Sequence, residues 1–210
     1  MKKAIAILLV LLVAGVMFGA DDSPGTAQLD ITAAMGNKAN HGFLDSNAAS
    51  EIDSFGDVIN TTYDTATATD LVLDSEALPN QSVGSYVFAT NANVDYAVSF
   101  TLNPLVDSST RPTWYVPYSL KATYAAGLNV PTDTDVTFDF GETTAASTRA
   151  ISATTPKNLI SLGSGDTDFV KAAKWGVYTL VVNFDGAGNE DAGLPVGKYS
   201  GSVVASIVVK

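Results

Sequence analysis

Apolar residues recur at every second position along much of this chain. In AQLDITAA (Ala27–Ala34), Leu29, Ile31 and Ala33 share one side, and Gln28, Asp30 and Thr32 share the other. DYAVSFTL (Asp95–Leu102) alternates through Tyr96, Val98, Phe100 and Leu102. DVTFDF (Asp135–Phe140) does so through Val136, Phe138 and Phe140, and GVYTLVVNF (Gly176–Phe184) through Tyr178, Leu180, Val182 and Phe184. Successive side chains of a strand point to opposite faces, so each segment is predicted to be a strand with one core face. TDLVLD, SYVFAT and WYVPYSLKATY add three more strands. Pro117, inside the last, requires a bulge or an edge.

The turn-forming stretches LPNQS, TNANVD, NVPTDTD, DGAGNEDAG and GLPVG separate these runs. Many strands, turns between them and no helical period predict an all-β, antiparallel, Ig-like Greek-key β-sandwich. GDTDFVKAAKW reads as one short helical turn. Asn37–Thr69 reads as a long, polar, acidic connection with a short strand near VINTTY. No internal repeat and no Pro-, Gly- or Ser-rich linker divides the chain, so a single domain over residues 21–210 is expected. Its core should hold Phe100, Phe138, Phe140, Tyr178, Leu180, Val182, Val203 and Ile207.

The first twenty residues, MKKAIAILLVLLVAGVMFGA, have another pattern. Lys2 and Lys3 precede an uncharged run from Ala4 to Ala20 whose Leu/Ile/Val core ends in a Gly/Ala-containing tail. That is the layout of a secretory signal peptide, with cleavage expected before Asp21. No later segment is long and apolar enough to be a spanning helix. The chain has no cysteine. This excludes a lipid-modified cysteine, a disulfide and a thiolate metal site, so the fold must be held by its core.

The formal net charge is −11, and losing the two leader lysines makes it −13. Nucleic acids and anionic membrane surfaces require a basic footprint, so this balance argues against both. Neither a catalytic, a cofactor-binding nor a metal residue is assigned, and no enzyme is expected. His41, in NKANHGF, has no second histidine or cysteine to complete a zinc site or a nucleophilic triad, and reads as a loop or packing residue. Asp30 and Asp139 lie on outward phases of strands. DGAGNED (Asp185–Asp191) gathers Asp185, Asn189, Glu190 and Asp191 but lacks the EF-hand spacing, and reads as an acidic hairpin loop. Trp114 and Tyr115 could form an aromatic platform for a sugar ring, although such residues more often pack in a core. Trp175 reads as a strand-edge core residue.

The chain closes on LPVGKYSGSVVASIVVK. Pro195 and Gly197 make a turn, after which Tyr199, Gly201, Val203, Ala205, Ile207 and Val209 share a small apolar face. The opposite face, Ser200, Ser202, Val204, Ser206, Val208 and Lys210, is half polar, as suits an edge strand. This ending, together with the leader, resembles secreted bacterial subunits of the pilin and spore-coat-protein-U kind, whose chains end in an lPaG-x-Y-x-d/g-x-v-x-v-x-i pattern. The resemblance implies an Ig-like sandwich, a structural role and, in many members, polymerisation by lending an N-terminal strand to a neighbour. The chain lacks the family's cysteine pair, and Val209-Lys210 replaces its penultimate aromatic.

The expected protein is therefore an extracytoplasmic structural or surface protein, in the periplasm, at the cell surface or secreted. It is read as a fimbrial or envelope-layer subunit assembling by strand addition. Leu29, Ile31 and Ala33 of the first strand and Tyr199, Val203 and Ile207 of the last would form the assembly strands. Its partners would be further copies or other envelope proteins, with no nucleic acid and, after cleavage, no membrane. The alternative is an extracellular module binding carbohydrate or a host surface through Trp114 and Tyr115. The closing strand is compatible with either a completed core or an assembly edge.

Overall fold

The computed structural model describes residues 38–63, 71, 73, 80–92, 95–107, 112–132, 135–141, 145–162, 173–184, 194–195 and 197–209. Among them the strands are β1 (Ala39–Leu44), β2 (Asn80–Thr90), β3 (Tyr96–Asp107), β4 (Trp114–Val116), β5 (Ser119–Leu128), β6 (Asp135–Phe138), β7 (Lys157–Leu162), β8 (Lys174–Asn183) and β9 (Ser200–Val209). Two short helices, α1 (Ser46–Ala49) and α2 (Phe55–Asn60), lie between β1 and β2. The fold is all-β, and its strand pairs are antiparallel. One sheet has the order β1-β2-β8-β5-β6. The second is built on β3, with β9 along one edge and β7 and β4 along successive stretches of the other.

The two sheets pack through the alternating residues. Tyr86, Phe88, Leu120, Phe138, Tyr178, Leu180 and Val182 of the first meet Tyr96, Val98, Phe100, Leu102, Ile160 and Leu162 of the second. Phe100 lies at the centre. Its ring centroid is 5.0 Å from Tyr86, edge-on, and 5.0 Å from Phe138. Phe43 of β1 closes the same group at 5.8 Å. The expected core residues Phe100, Phe138, Tyr178, Leu180 and Val182 are buried. Phe140, Val203 and Ile207 are only partly buried against the core.

Sheet irregularities fall where the local chemistry requires them. β3 runs beyond the predicted Leu102 to Asp107, although it contains Pro104. The β3–β9 register shifts between Asn103 and Val106, and this bulge accommodates the missing proline N–H. Gly201 faces the bulge, and a Cβ there would stand 2.8 Å from the Pro104 carbonyl oxygen. Gly84 sits at the β2 bulge with φ +113°, a conformation that L side chains rarely adopt. Pro117 lies between β4 and β5, where the chain crosses from one sheet to the other, rather than inside a continuous strand.

The segment Asn37–Thr69, expected to be an irregular connection, differs from expectation: it carries β1 itself and then the two helices. VINTTY contributes the end of α2 rather than a strand, and the helices cover the outer face of the first sheet. Ser54 caps the helix: Asp57 N–H donates to Ser54 Oγ at 3.2 Å, and Ser54 Oγ–H donates to Asp57 Oδ2 at 2.6 Å. That hydroxyl also holds the exposed Asp57 carboxyl below its ordinary pKa. At the other end of α2, Asn40 Nδ2 donates to the carbonyls of Val58, Ile59 and Thr61 at 3.0, 3.3 and 2.8 Å, tying the helix to β1. Beneath it, Ile52 and Val58 pack on Val87, Ala89, Trp175 and Val177. Trp175 is thus a core residue of this second layer, on a central strand.

The leader Met1–Ala20, the strand Ala27–Ala34, residues 165–172 of the predicted helical turn and the loop Asp185–Asp191 lie outside the described residues. So does most of TDLVLD, of which Leu71 and Leu73 pack against the core. Among the described residues no helix is long and apolar enough to cross a membrane.

Two substitutions check this packing by denaturant unfolding. Phe138→Ala is expected to cost about 3–5 kcal/mol, with a smaller loss for half-buried Phe140→Ala. Gly84→Ala is expected to destabilise by more than about 1 kcal/mol, because its Cβ would collide with the Leu44 carbonyl oxygen in addition to the positive φ.

Candidate functional site

The closing strand β9 is the longest one-sided strand in the second sheet. It pairs with β3 from Tyr96↔Val209 to Val106↔Ser200. Among the described residues, no strand pairs with its other edge. Ser200–Val209 contains no ionisable residue and no proline. Val203, Ala205 and Ile207 point toward the inter-sheet core but are only half-buried. On the outer face Val204 remains 49% exposed beside exposed Ser202 and Ser206. An edge strand of this length leaves a row of backbone N–H and C=O groups available for pairing, a liability that proteins usually blunt with charge, proline or a cover. β9 has none of the first two.

The entry to β9 is held firmly. Asp107 is buried at the end of β3. Gly197 lies against its carboxylate so closely that a Cβ would collide with Oδ2. Tyr199, placed just before β9, donates its hydroxyl to the Pro195 carbonyl at 3.0 Å. Burial, and then the Asp107 charge, push the Tyr199 phenol above its ordinary pKa. Asn103 Nδ2 donates to Ser202 Oγ at 2.9 Å, and Tyr118 Oη donates to the Ser202 carbonyl at 3.3 Å. The alternation predicted Val203 and Ile207 on a common face. The close approach of Gly197 to Asp107 was missed, because its only signal is an acid at a strand end, ninety residues before the glycine it meets.

The other candidates occupy separate places. Trp114 and Tyr115 are half-buried on β4. Trp114 is opposite Asp107, and Tyr115 exchanges two backbone hydrogen bonds with Ser147, at 2.8 and 2.9 Å. Neither lines the open groove found beside β6. His41 is on β1, not in a loop. Its ring is half-buried, and its Nδ1 is 3.0 Å from Tyr86 Oη in a shared hydrogen bond. Burial lowers the imidazole pKa. Among the described residues no three His, Asp or Glu side chains gather as a metal-binding group would.

No protein-family model, curated protein or solved structure matches the chain.

His41 carries a pH dependence. Its folded pKa lies below the unfolded value of 6.5. The stability it contributes is complete above that value and is lost as pH falls toward the folded pKa, because the unfolded chain takes up the proton first. Melting scans between about pH 7.5 and 5.5 are expected to show the parent losing more stability than His41→Gln.

Proposed function

We propose that this chain is an exported structural subunit of a surface layer or filament, assembled by strand addition at β9. The observation that carries the reading is the long, uncharged edge of β9 with half-covered Val203, Ala205 and Ile207. A strand laid along this edge would satisfy its backbone groups and cover those side chains. The leader pattern of Lys2, Lys3 and Ala4–Ala20 supports export, and the absence of cysteine suits a fold sustained by its core in any redox environment. The succession of crossings between the two sheets is read as an Ig-like Greek key. The donated strand is assigned to Ala27–Ala34 of a neighbouring copy, whose Leu29, Ile31 and Ala33 would face the core beside β9. Its location is assigned outside the cytoplasm.

The test is the oligomeric state of the mature chain. Light scattering is expected to find a ladder of assemblies that Val204→Lys reduces to monomers while the melting temperature changes little, since residue 204 is exposed. A chain beginning at Asn37 is expected to stay folded and monomeric and to bind an added TAQLDITAAM peptide. A parent chain that is monomeric at every concentration, with an Asn37 chain that ignores the peptide, would refute strand addition.

A further inference from the structure

We propose that the open groove between the end of β6 and the segment entering β7 is a binding site for an acidic peptide. The groove has a volume of about 710 Å³ and runs between Phe138–Gly141 on one side and Ser147–Lys157 on the other. It is distinct from the β9 edge, and its function does not depend on assembly there.

Charge is the first argument. The chain carries a net charge of −11, yet this groove is lined by Arg149 and Lys157 with Asp139 as the acid among its lining residues. Asp139 Oδ1 is engaged by the Gly141 N–H at 2.9 Å. Lys157 is held in place: its Nζ donates to the Thr137 carbonyl at 2.6 Å and stands 5.9 Å from the Phe138 ring centroid. An ammonium has three donors, so that contact leaves two for a ligand. Arg149 is exposed, and none of its guanidinium donors is used by a described residue. A fixed ammonium and a fork-shaped guanidinium in one groove suit carboxylates.

The backbone is the second argument. Ser147 is bonded in both directions to Tyr115. Thr154 is bonded to Leu102, by its N–H to the carbonyl and by its Oγ1 from the Leu102 N–H, both at 2.9 Å. Between these two anchors Ala150–Ala153 belongs to no strand and makes no backbone–backbone hydrogen bond to another described residue. As far as the described residues go, those groups are left for a peptide main chain. A sugar would instead call for an exposed aromatic platform. Phe138 is buried in the core, and Phe140 packs edge-on against Tyr118 at 5.6 Å.

The experiment is fluorescence anisotropy of the full mature chain with a labelled peptide of alternating Asp and Ser, at low salt. Saturable binding is expected, weakened about tenfold by Arg149→Glu, whose exposed position leaves the melting curve unchanged, and also by Lys157→Gln. Amide NMR shifts on peptide addition are expected to centre on Ala150–Ala153. The proposal is overturned if Arg149→Glu binds as the parent does, if an alternating Asn-Ser peptide binds equally well, or if polygalacturonate competes more tightly than the peptide.

Discussion

Strands β2 and β8 are apolar on both faces, and the rest of the molecule is arranged to keep both faces dry. Phe88 and Tyr178 point inward and stack at 6.2 Å and 19°. Gly176 makes this possible, since a Cβ there would stand 3.0 Å from Tyr178 and 3.1 Å from Phe88. On the reverse side Val87, Ala89, Trp175 and Val177 would face water without α1 and α2. Burying a single Val or Leu side chain is worth roughly 1.5–3 kcal/mol, so covering Val87 and Val177, with Ala89 and Trp175 beside them, outweighs the weak intrinsic stability of two helices each under two turns. The helices persist because they cover the sheet, because Asp45 accepts the Ala48 N–H at the start of α1, and because Ser54, Asp57 and Asn40 satisfy the ends of α2.

The second sheet meets a different limit. It has one long central strand, β3, and must complete that strand's edges from what remains. One edge is served in pieces: β7 along Tyr96–Phe100, Thr154 at Leu102 and β4 along Leu105–Asp107. The other edge is served by β9 throughout. The outer face of this sheet is largely polar, with Ser99 opposite Ser206 and Asn103 opposite Ser202 around the exposed Val204, and among the described residues no helix covers it. Among the described residues no strand lies beyond β9, and the proposed role in assembly follows from that uncovered edge.

Chemistry in this chain is sparse and mostly structural. His41 and Tyr86 satisfy each other within the packing. Lys174 is buried, with Nζ donating to the Ala92 carbonyl at 3.1 Å above the Tyr96 ring, and burial lowers its pKa. Asp107 is buried where Gly197 passes close to its carboxylate. The groove beside β6 differs in that its cations retain donors, and it concentrates positive charge on a chain dominated by acids.

Period-two alternation by itself determined the all-β class and the inward phase of Tyr96–Leu102, Val136–Phe138 and Tyr178–Val182, because strand geometry sends alternate residues to opposite faces whatever lies around them. It also marked Val203 and Ile207 as facing one side of the last strand. It could not reveal that VINTTY would join a helix, since Val58 gains more from covering Val87 and Val177 than from any local β preference. Nor could it extend β3 through Pro104, because the bulge that permits it depends on Gly201, distant in sequence. The edge of β9 left unpaired by the described strands, the close approach of Gly197 to Asp107 and the meeting of Arg149 and Lys157 on one groove were decided by tertiary structure alone. Each is a relation between segments, and the pattern within one segment carries no information about which neighbour the folded sheet will place beside it.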